Sequence, residues 1–302
     1  MARVLICDTV AQDALDAIRQ GGHEVVEKVG MSVDELMETA PQFDALVVRS
    51  ATKVRKPVLE VAAKGNLKLI VRGGVGLDNI DLDDAAALGI SVKNTPAASS
   101  VAVAELAMAH MLACSRFLGP ANCTMKNGEW NKKAYGKGKE LWNSTLGLIG
   151  FGRISKEVAK RANAFGMNVI FFDPFIDDEE GARKVDLDTL CKESDFISLH
   201  IPHNKETHYL LDAPQFDMMK DGVIVVNCAR GGTVNETALL EAMKSGKVFA
   251  AGVDVYEQEP AKGNVLAEYE KTVATPHIGA GSAAASKRVG AEVARKINEF
   301  FE

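Results

Sequence analysis

The sequence predicts an α/β protein of two lobes, each built on a parallel sheet, and three features predict it. Short apolar runs of four to six residues alternate with helical patterns from one end of the chain to the other. The runs show no every-second-residue alternation, which suits strands covered on both faces of a parallel sheet. A long apolar helix followed by an irregular stretch divides the runs into two series. A chain of 302 residues is long enough for each lobe to bury its own core.

The first series is "RVLICD" (3–8), "HEVVEK" (23–28), "FDALVVRS" (43–50), "LKLIVR" (67–72) and "ISVKN" (90–94). A helix over about 98–117 follows, and then the segment "GPANCTMKNGEWNKKAYGKGKELWN" (119–143), which has no clear period. A monomer has little use for exposed Trp130 and Trp142, so this segment reads as an arm packed on a partner. The second series is "TLGLIG" (145–150), "NVIFFD" (168–173), "DFISLH" (195–200), "GVIVVN" (222–227), "VFAAGVD" (248–254) and "KTVAT" (271–275). Between these runs, "SKEVAKRANAFG" and "NETALLEAMKSG" read as helices that end at a glycine. After residue 281, "SAAASKRVGAEVARKINEFF" reads as a helix free to return to either lobe.

Composition narrows the class. A net charge of −6 gives no electrostatic footprint for nucleic acid. The apolar run "VAVAELAMAHMLAC" (101–114) is interrupted by Glu105 and His110 and is shorter than the roughly 20 residues that span a bilayer. Asp8 arrives too early for a secretory signal. Cys7, Cys114, Cys123, Cys191 and Cys228 are scattered with no CxxC spacing, as expected of reduced thiols in a cytoplasmic protein.

The stretch "TLGLIGFGRIS" (145–155) carries the first chemistry. In a G-x-G-x-x-G turn the first glycine makes the bend, the second lets backbone N–H groups approach a pyrophosphate, and the third lets the helix pack on its strand. Gly150 and Gly152 fill the first two places, and Ser155 stands in the third, which puts the tightness of helix packing in doubt. Asp173 ends the next strand, 23 residues after Gly150, near the roughly 20 expected for a carboxylate on the ribose hydroxyls. Pro174 and Phe175 follow it, with no arginine for a 2′-phosphate, so the expected cofactor is NAD rather than NADP.

Ligands of such sheets lie beyond the carboxyl ends of the strands. There "VVNCARGG" puts Arg230, "GVDVYEQEP" puts Asp254 and Glu259, and "ATPHIGAG" puts His277. An imidazole can take the proton of a hydroxyl while hydride leaves the same carbon. A carboxylate fixes its tautomer, and a guanidinium forks onto a substrate carboxylate. The three types together point to dehydrogenation of a hydroxy acid. A metal site at His200, His203 and His208 is disfavoured, since no flanking acid or cysteine completes a ligand set.

"GLIGFGRIS", "VNCARGG", "DVYEQEP" and "TPHIGA", in that order, resemble the D-isomer-specific 2-hydroxyacid dehydrogenases. "VVRSATKV" (47–54), "VRGGVGLDNID" (71–81) and "VKNTPAASSVAVAEL" (92–106) are similar to the phosphoglycerate branch of that family. The likeness covers essentially the whole chain. It implies two Rossmann-like lobes, with a nucleotide lobe (96–280) inserted into a substrate lobe (1–95 and 281–302), and a dimerisation arm at about 119–143. It implies Arg230, Glu259 and His277 as the catalytic set. Arg153, Ile154 and Asp173 would contact the pyrophosphate and adenosine ribose. Val75, His200, Ile201, Pro202, Cys228, Ala229, Asp254 and Gly279 would line the rest of NAD. Gly73, Gly74 and Gly76 would hold the substrate carboxylate, with Arg49, Ser50 and Arg72 lining the remainder of the substrate, the basic ones toward a phosphate, and Lys132 in the arm would be presented from the neighbouring subunit.

The implied activity is NAD-dependent oxidation of D-3-phosphoglycerate, the entry to serine synthesis, in a cytoplasmic homodimer. Another D-2-hydroxy acid, such as glycerate, and a non-catalytic NAD-sensing module are the rivals. Because the sequence stops at Glu302, serine feedback through a C-terminal regulatory domain is not expected.

Overall fold

The computed structural model describes residues 1–177 and 179–302. The chain folds into two compact units, Met1–Ser100 with Ala280–Glu302, and Val101–Gly279. In the first, strands β1 (Arg3–Ile6), β2 (Glu24–Glu27), β3 (Ala45–Val48), β4 (Leu69–Arg72) and β5 (Ser91–Asn94) form a parallel sheet in the order β2-β1-β3-β4-β5. Alternate residues of the central strands serve opposite faces. Leu5, Leu46 and Ile70 pack with Leu36 and Leu59, whereas Val4, Ile6, Val47 and Val71 pack with Val289, Val293 and Ile297. The last three belong to the C-terminal helix Ala283–Phe301, which therefore completes the first unit. Gly290 lets it close on the helix Gln12–Gln20, since a Cβ there would lie 2.8 Å from that of Ala14.

The second unit carries β6 (Thr145–Ile149), β7 (Asn168–Phe172), β8 (Arg183–Lys184), β9 (Phe196–Leu199), β10 (Val223–Asn227), β11 (Val248–Val253) and β12 (Thr272–Ala274). Among the described residues these form a parallel sheet in the order β12-β11-β10-β9-β6-β7-β8. The winding reverses between β6 and β9, the kind of place where nucleotide crevices open in such sheets. Both faces are covered. Ile149, Ile197 and Val225 pack on one side, and Leu148, Phe196 and Val226 on the other against Met108 and Met111 of the helix Ser100–Ser115. The predicted runs are thus the observed strands, and the fold is α/β with two parallel sheets.

Three local features go beyond the sequence reading. The irregular segment opens with a helix, Leu118–Lys126, entered through Phe117 at φ +55°. Its remainder leaves Trp130 and Trp142 78% and 71% exposed. The two-residue strand β8 is too short to register as an apolar run. No single helix among the described residues is long and apolar enough to cross a membrane.

Candidate active site

Strands β10, β11 and β12 lie side by side, with Asn227 level with Val253 and Val253 level with Ala274. Their carboxyl ends therefore deliver three loops to one edge of the second unit. In the first loop Asn227 folds the chain back. Its Nδ2 donates to the Arg230 carbonyl at 3.1 Å and to Thr233 Oγ1 at 3.2 Å, and its Oδ1 accepts the Ala229 N–H. Arg230 Nη1 donates to the Ala229 carbonyl at 2.6 Å. Gly231 is required next, because a Cβ there would collide with the Tyr256 carbonyl. Cys228 is buried, and burial first, with the charge of Asp254 adding to it, raises its thiol pKa well above the usual value.

The second and third loops meet in a hydrogen bond of 2.8 Å between His277 Nδ1 and Glu259 Oε2. Partial burial of Glu259 pushes its pKa up. The hydrogen bond and charge of His277, the Tyr256 N–H and the charge of Arg230 outweigh that and hold it below the usual carboxylate range. The ionised carboxylate can only accept, so Nδ1 carries a proton, and in the neutral ring it is Nε2 that presents a lone pair. The side chain of His277 is 41% exposed, which leaves that lone pair accessible. His277 itself sits at φ +54°, a left-handed conformation that costs a non-glycine residue about 1–2 kcal/mol.

What holds the strained residue is Asp254. It is 1% exposed, and its carboxylate accepts from Thr275 Oγ1 at 2.6 Å and from the N–H groups of Ile278 and Gly279 at 2.8 Å each. Expected as a cofactor contact, Asp254 thus also clamps the loop on both sides of His277. The sequence reading did not single out Asn227 or Thr275. Their only signal was position, one at the last residue of a strand and one just past a strand.

The nucleotide turn fits a dinucleotide on this structure's own terms. Gly150 adopts φ +83°, and a Cβ there would lie 2.6 Å from Ile201 Cγ2 and 2.8 Å from the His200 carbonyl. Around Gly152 a Cβ would meet nothing within 4 Å, and the helix Arg153–Ala164 that it caps has no side-chain cap. The first N–H groups of that helix are therefore left for an anion. Asp173 accepts the Phe151 N–H at 2.7 Å on one oxygen and those of Phe175 and Ile176 on the other. Three of about four acceptor positions are filled, which aims the last one. The doubt over Ser155 is removed: the residue is fully buried, and its hydroxyl donates to the Gly150 carbonyl at 2.6 Å. The helix packs closely with a serine in the third place.

His200, just past β9, lies 3.0 Å from Ser198 Oγ through Nε2, and burial pushes its pKa down to about 4. Ile201 and Pro202 follow it. His203 and His208 face each other at 3.0 Å, and no group of three metal-ligating side chains occurs among the described residues.

The remaining predicted residues divide by unit. Lys132 is exposed in the second, within the irregular segment. Arg49, Ser50 and the turn from Arg72 to Gly76 belong to the first. There Arg49 lines a cavity of about 190 Å³ with Thr9, Val10, Ala11, Ser286, Val289 and Gly290. Among the described residues its guanidinium has no ion-pair partner, and a Cβ on Gly74 would collide with Arg72 Nη1.

The family model for the NAD-binding domain of D-isomer specific 2-hydroxyacid dehydrogenases matches residues 108–279. The chain is 50% identical over 299 residues to a hydroxypyruvate reductase of Thermotoga maritima, covering 98% of this chain and 97% of that one. It is 46% identical over 306 residues to a D-3-phosphoglycerate dehydrogenase of Methanocaldococcus jannaschii, covering 100% of this chain and 58% of that one. The chain thus spans little more than half the length of that relative. Among solved structures, a glyoxylate reductase from Paecilomyes thermophila superposes with a TM-score of 0.91 at 30% identity, over 99% of this chain and 95% of that one.

The depressed pKa of His200 links stability to pH. The unfolded chain binds a proton near pH 6.5 that the folded protein refuses until about pH 4. This contribution is complete above pH 6.5 and is lost as pH falls toward 4. Urea unfolding at pH 7 and pH 4.5 is expected to show a loss about 2 kcal/mol smaller in His200→Gln than in the wild type. Identical losses would mean that the ring titrates normally.

Proposed function

The chain belongs to the D-isomer-specific 2-hydroxyacid dehydrogenases, and on that premise we propose that it oxidises D-3-phosphoglycerate to 3-phosphohydroxypyruvate, the first step of serine biosynthesis. The observation that carries the chemistry is the 2.8 Å bond from His277 Nδ1 to Glu259, which leaves Nε2 as a neutral base. Nε2 takes the proton of the substrate's C2 hydroxyl as the carbonyl forms. Glu259 stabilises the imidazolium so produced, and Arg230 holds the substrate carboxylate and polarises the new carbonyl oxygen. NAD, when bound, accepts the hydride released from C2. Gly150 and Gly152, with Arg153 and Ile154 at the start of the helix, receive its pyrophosphate. Asp173 takes the adenosine ribose, and the strand ends at His200–Pro202, Cys228–Ala229, Asp254 and Gly279, together with Val75, line the rest.

A phosphorylated substrate is favoured by Arg49, which has no ion-pair partner among the described residues and lines a cavity that also offers the hydroxyl-bearing Thr9 and Ser286. Arg72, and Lys132 presented by the arm of a second copy, would add charge for the same phosphate, and Ser50 would line the substrate beside Arg49. In the turn after β4, the N–H groups of Gly73 and Gly74 go to the Val48 and Arg72 carbonyls, whereas those of Val75 and Gly76 make no hydrogen bond within the described residues, which suits the turn from Gly73 and Gly74 to Gly76 to a carboxylate held at its far end. The relative from Thermotoga favours a second reading, reduction of hydroxypyruvate. The exposed Trp130 and Trp142 support a homodimer formed through the arm at about 119–143 within a nucleotide lobe of 96–280, the substrate lobe being 1–95 and 281–302.

His277→Gln is expected to lower kcat/KM by about 10²–10⁴ while NADH still binds by fluorescence. Turnover at the wild-type rate would remove it as the base. Arg49→Ala should raise KM for phosphoglycerate about 10- to 100-fold, the worth of one charge-assisted bond, with little change for glycerate or hydroxypyruvate. An equal effect on both classes, or a wild-type preference for the plain acid, favours the second reading. Sedimentation equilibrium should find a dimer that Trp130→Ala weakens, and a monomer at all concentrations would refute the arm.

A further inference from the structure

His110 lies on the helix Ser100–Ser115 in the second unit and is 2% exposed. Its Nε2 is 3.0 Å from Thr275 Oγ1, and that oxygen is 2.6 Å from Asp254 Oδ1. Directions follow from proton inventory. The carboxylate has no proton to give, so the single hydroxyl proton of Thr275 goes to Asp254. The Thr275 oxygen must then accept, and His110 Nε2 is the donor. Burial, partly opposed by the charge of Asp254, lowers the pKa of His110 and keeps the ring neutral. Its Nδ1 is consequently a bare acceptor, buried with no hydrogen-bond partner among the described residues. An unmade buried bond costs about 1–3 kcal/mol, which an aliphatic side chain at 110 would avoid. The ring packs on Gly252, where a Cβ would lie 2.6 Å from His110 Cβ, but an apolar side chain could fill that place without the unmade bond.

We propose that His110 is a positioning residue for the dehydrogenase reaction, fixing the His277 loop through Thr275 and Asp254. The chain of bonds runs from His110 Nε2–H to Thr275 Oγ1 and on to Asp254. The same carboxylate takes the N–H groups of Ile278 and Gly279, so the loop is gripped before and after His277. That grip opposes relaxation of His277 from its left-handed conformation. Without the donation at 110, Thr275 Oγ1 loses its outer anchor and the base drifts from its bond to Glu259. A displacement of about 1 Å at a reacting group costs up to about 100-fold in rate.

The inference rests on His277 being the base, and the variants separate the two ideas. Gln at 110 keeps an N–H at the reach of Nε2, whereas Met has similar length and no donor. In the full-length protein, with whichever hydroxy acid the wild type turns over, His110→Met should lower kcat about tenfold. NADH affinity should stay within twofold, and His110→Gln should recover most of the rate. Thr275→Val breaks the same chain from the other side, and adding His110→Met to it should lower kcat no further. Wild-type kcat in His110→Met or in Thr275→Val, a Gln variant as slow as the Met variant, or multiplicative losses in the double variant would each overturn the proposal. If His110→Met does not fold, Thr275→Val alone decides it. His277→Gln at the wild-type rate removes the base and the relay with it. An inactive His277→Gln beside a fully active His110→Met removes the relay only.

Discussion

Asp254 leaves β11 with its carboxylate almost wholly out of water and gives three acceptor positions to one short loop. A buried charge is tolerated only when it is well provided with donors, and here the donors are one hydroxyl and two backbone N–H groups of the loop that carries His277. The dependence runs in both directions. The loop satisfies the charge, and the charge holds the loop in a backbone conformation that a histidine would not otherwise keep. In that conformation His277 Nδ1 meets Glu259, and the bond fixes which nitrogen carries the proton.

The nucleotide turn uses the same economy with neutral groups. Gly150 must be glycine, since its φ is positive and its neighbours stand where a Cβ would go. The fifth residue after it returns a hydroxyl to its carbonyl, so the bend is closed by a side chain where a third glycine would leave that carbonyl to other partners. Asp173 pins the turn to the following strand through the Phe151 N–H. The turn is thus closed by its own hydrogen bonds, an arrangement that reduces the ordering cost of binding.

Much of this was legible in the sequence. Strands buried on both faces announce themselves as unbroken apolar runs, and residues just past their ends are where ligands of such sheets bind, so Arg230, Glu259 and His277 could be picked without coordinates. Other features were hidden for definite reasons. The helix Leu118–Lys126 is short, carries a glycine and a proline in its first turn and buries no residue, so its pattern is too weak to stand out. Ser155 read as a defect because its hydroxyl partner is defined by the turn's geometry and not by spacing. His110 was visible as a polar interruption in an apolar helix, but its partner lies 165 residues away in the chain. The placement of the final helix depended on which valine face it matched, and that is a property of the assembled sheet.

Cys228 follows directly on the last residue of β10 and stands two residues before Arg230. Attack by sulfur requires the thiolate, and low dielectric next to an anion suppresses that form. Peroxide and alkylating reagents should accordingly find Cys123, which is exposed, long before they reach the buried sulfur of Cys228. The protein keeps a soft, oxidisable atom at the end of a core strand and renders it inert by depriving it of solvent.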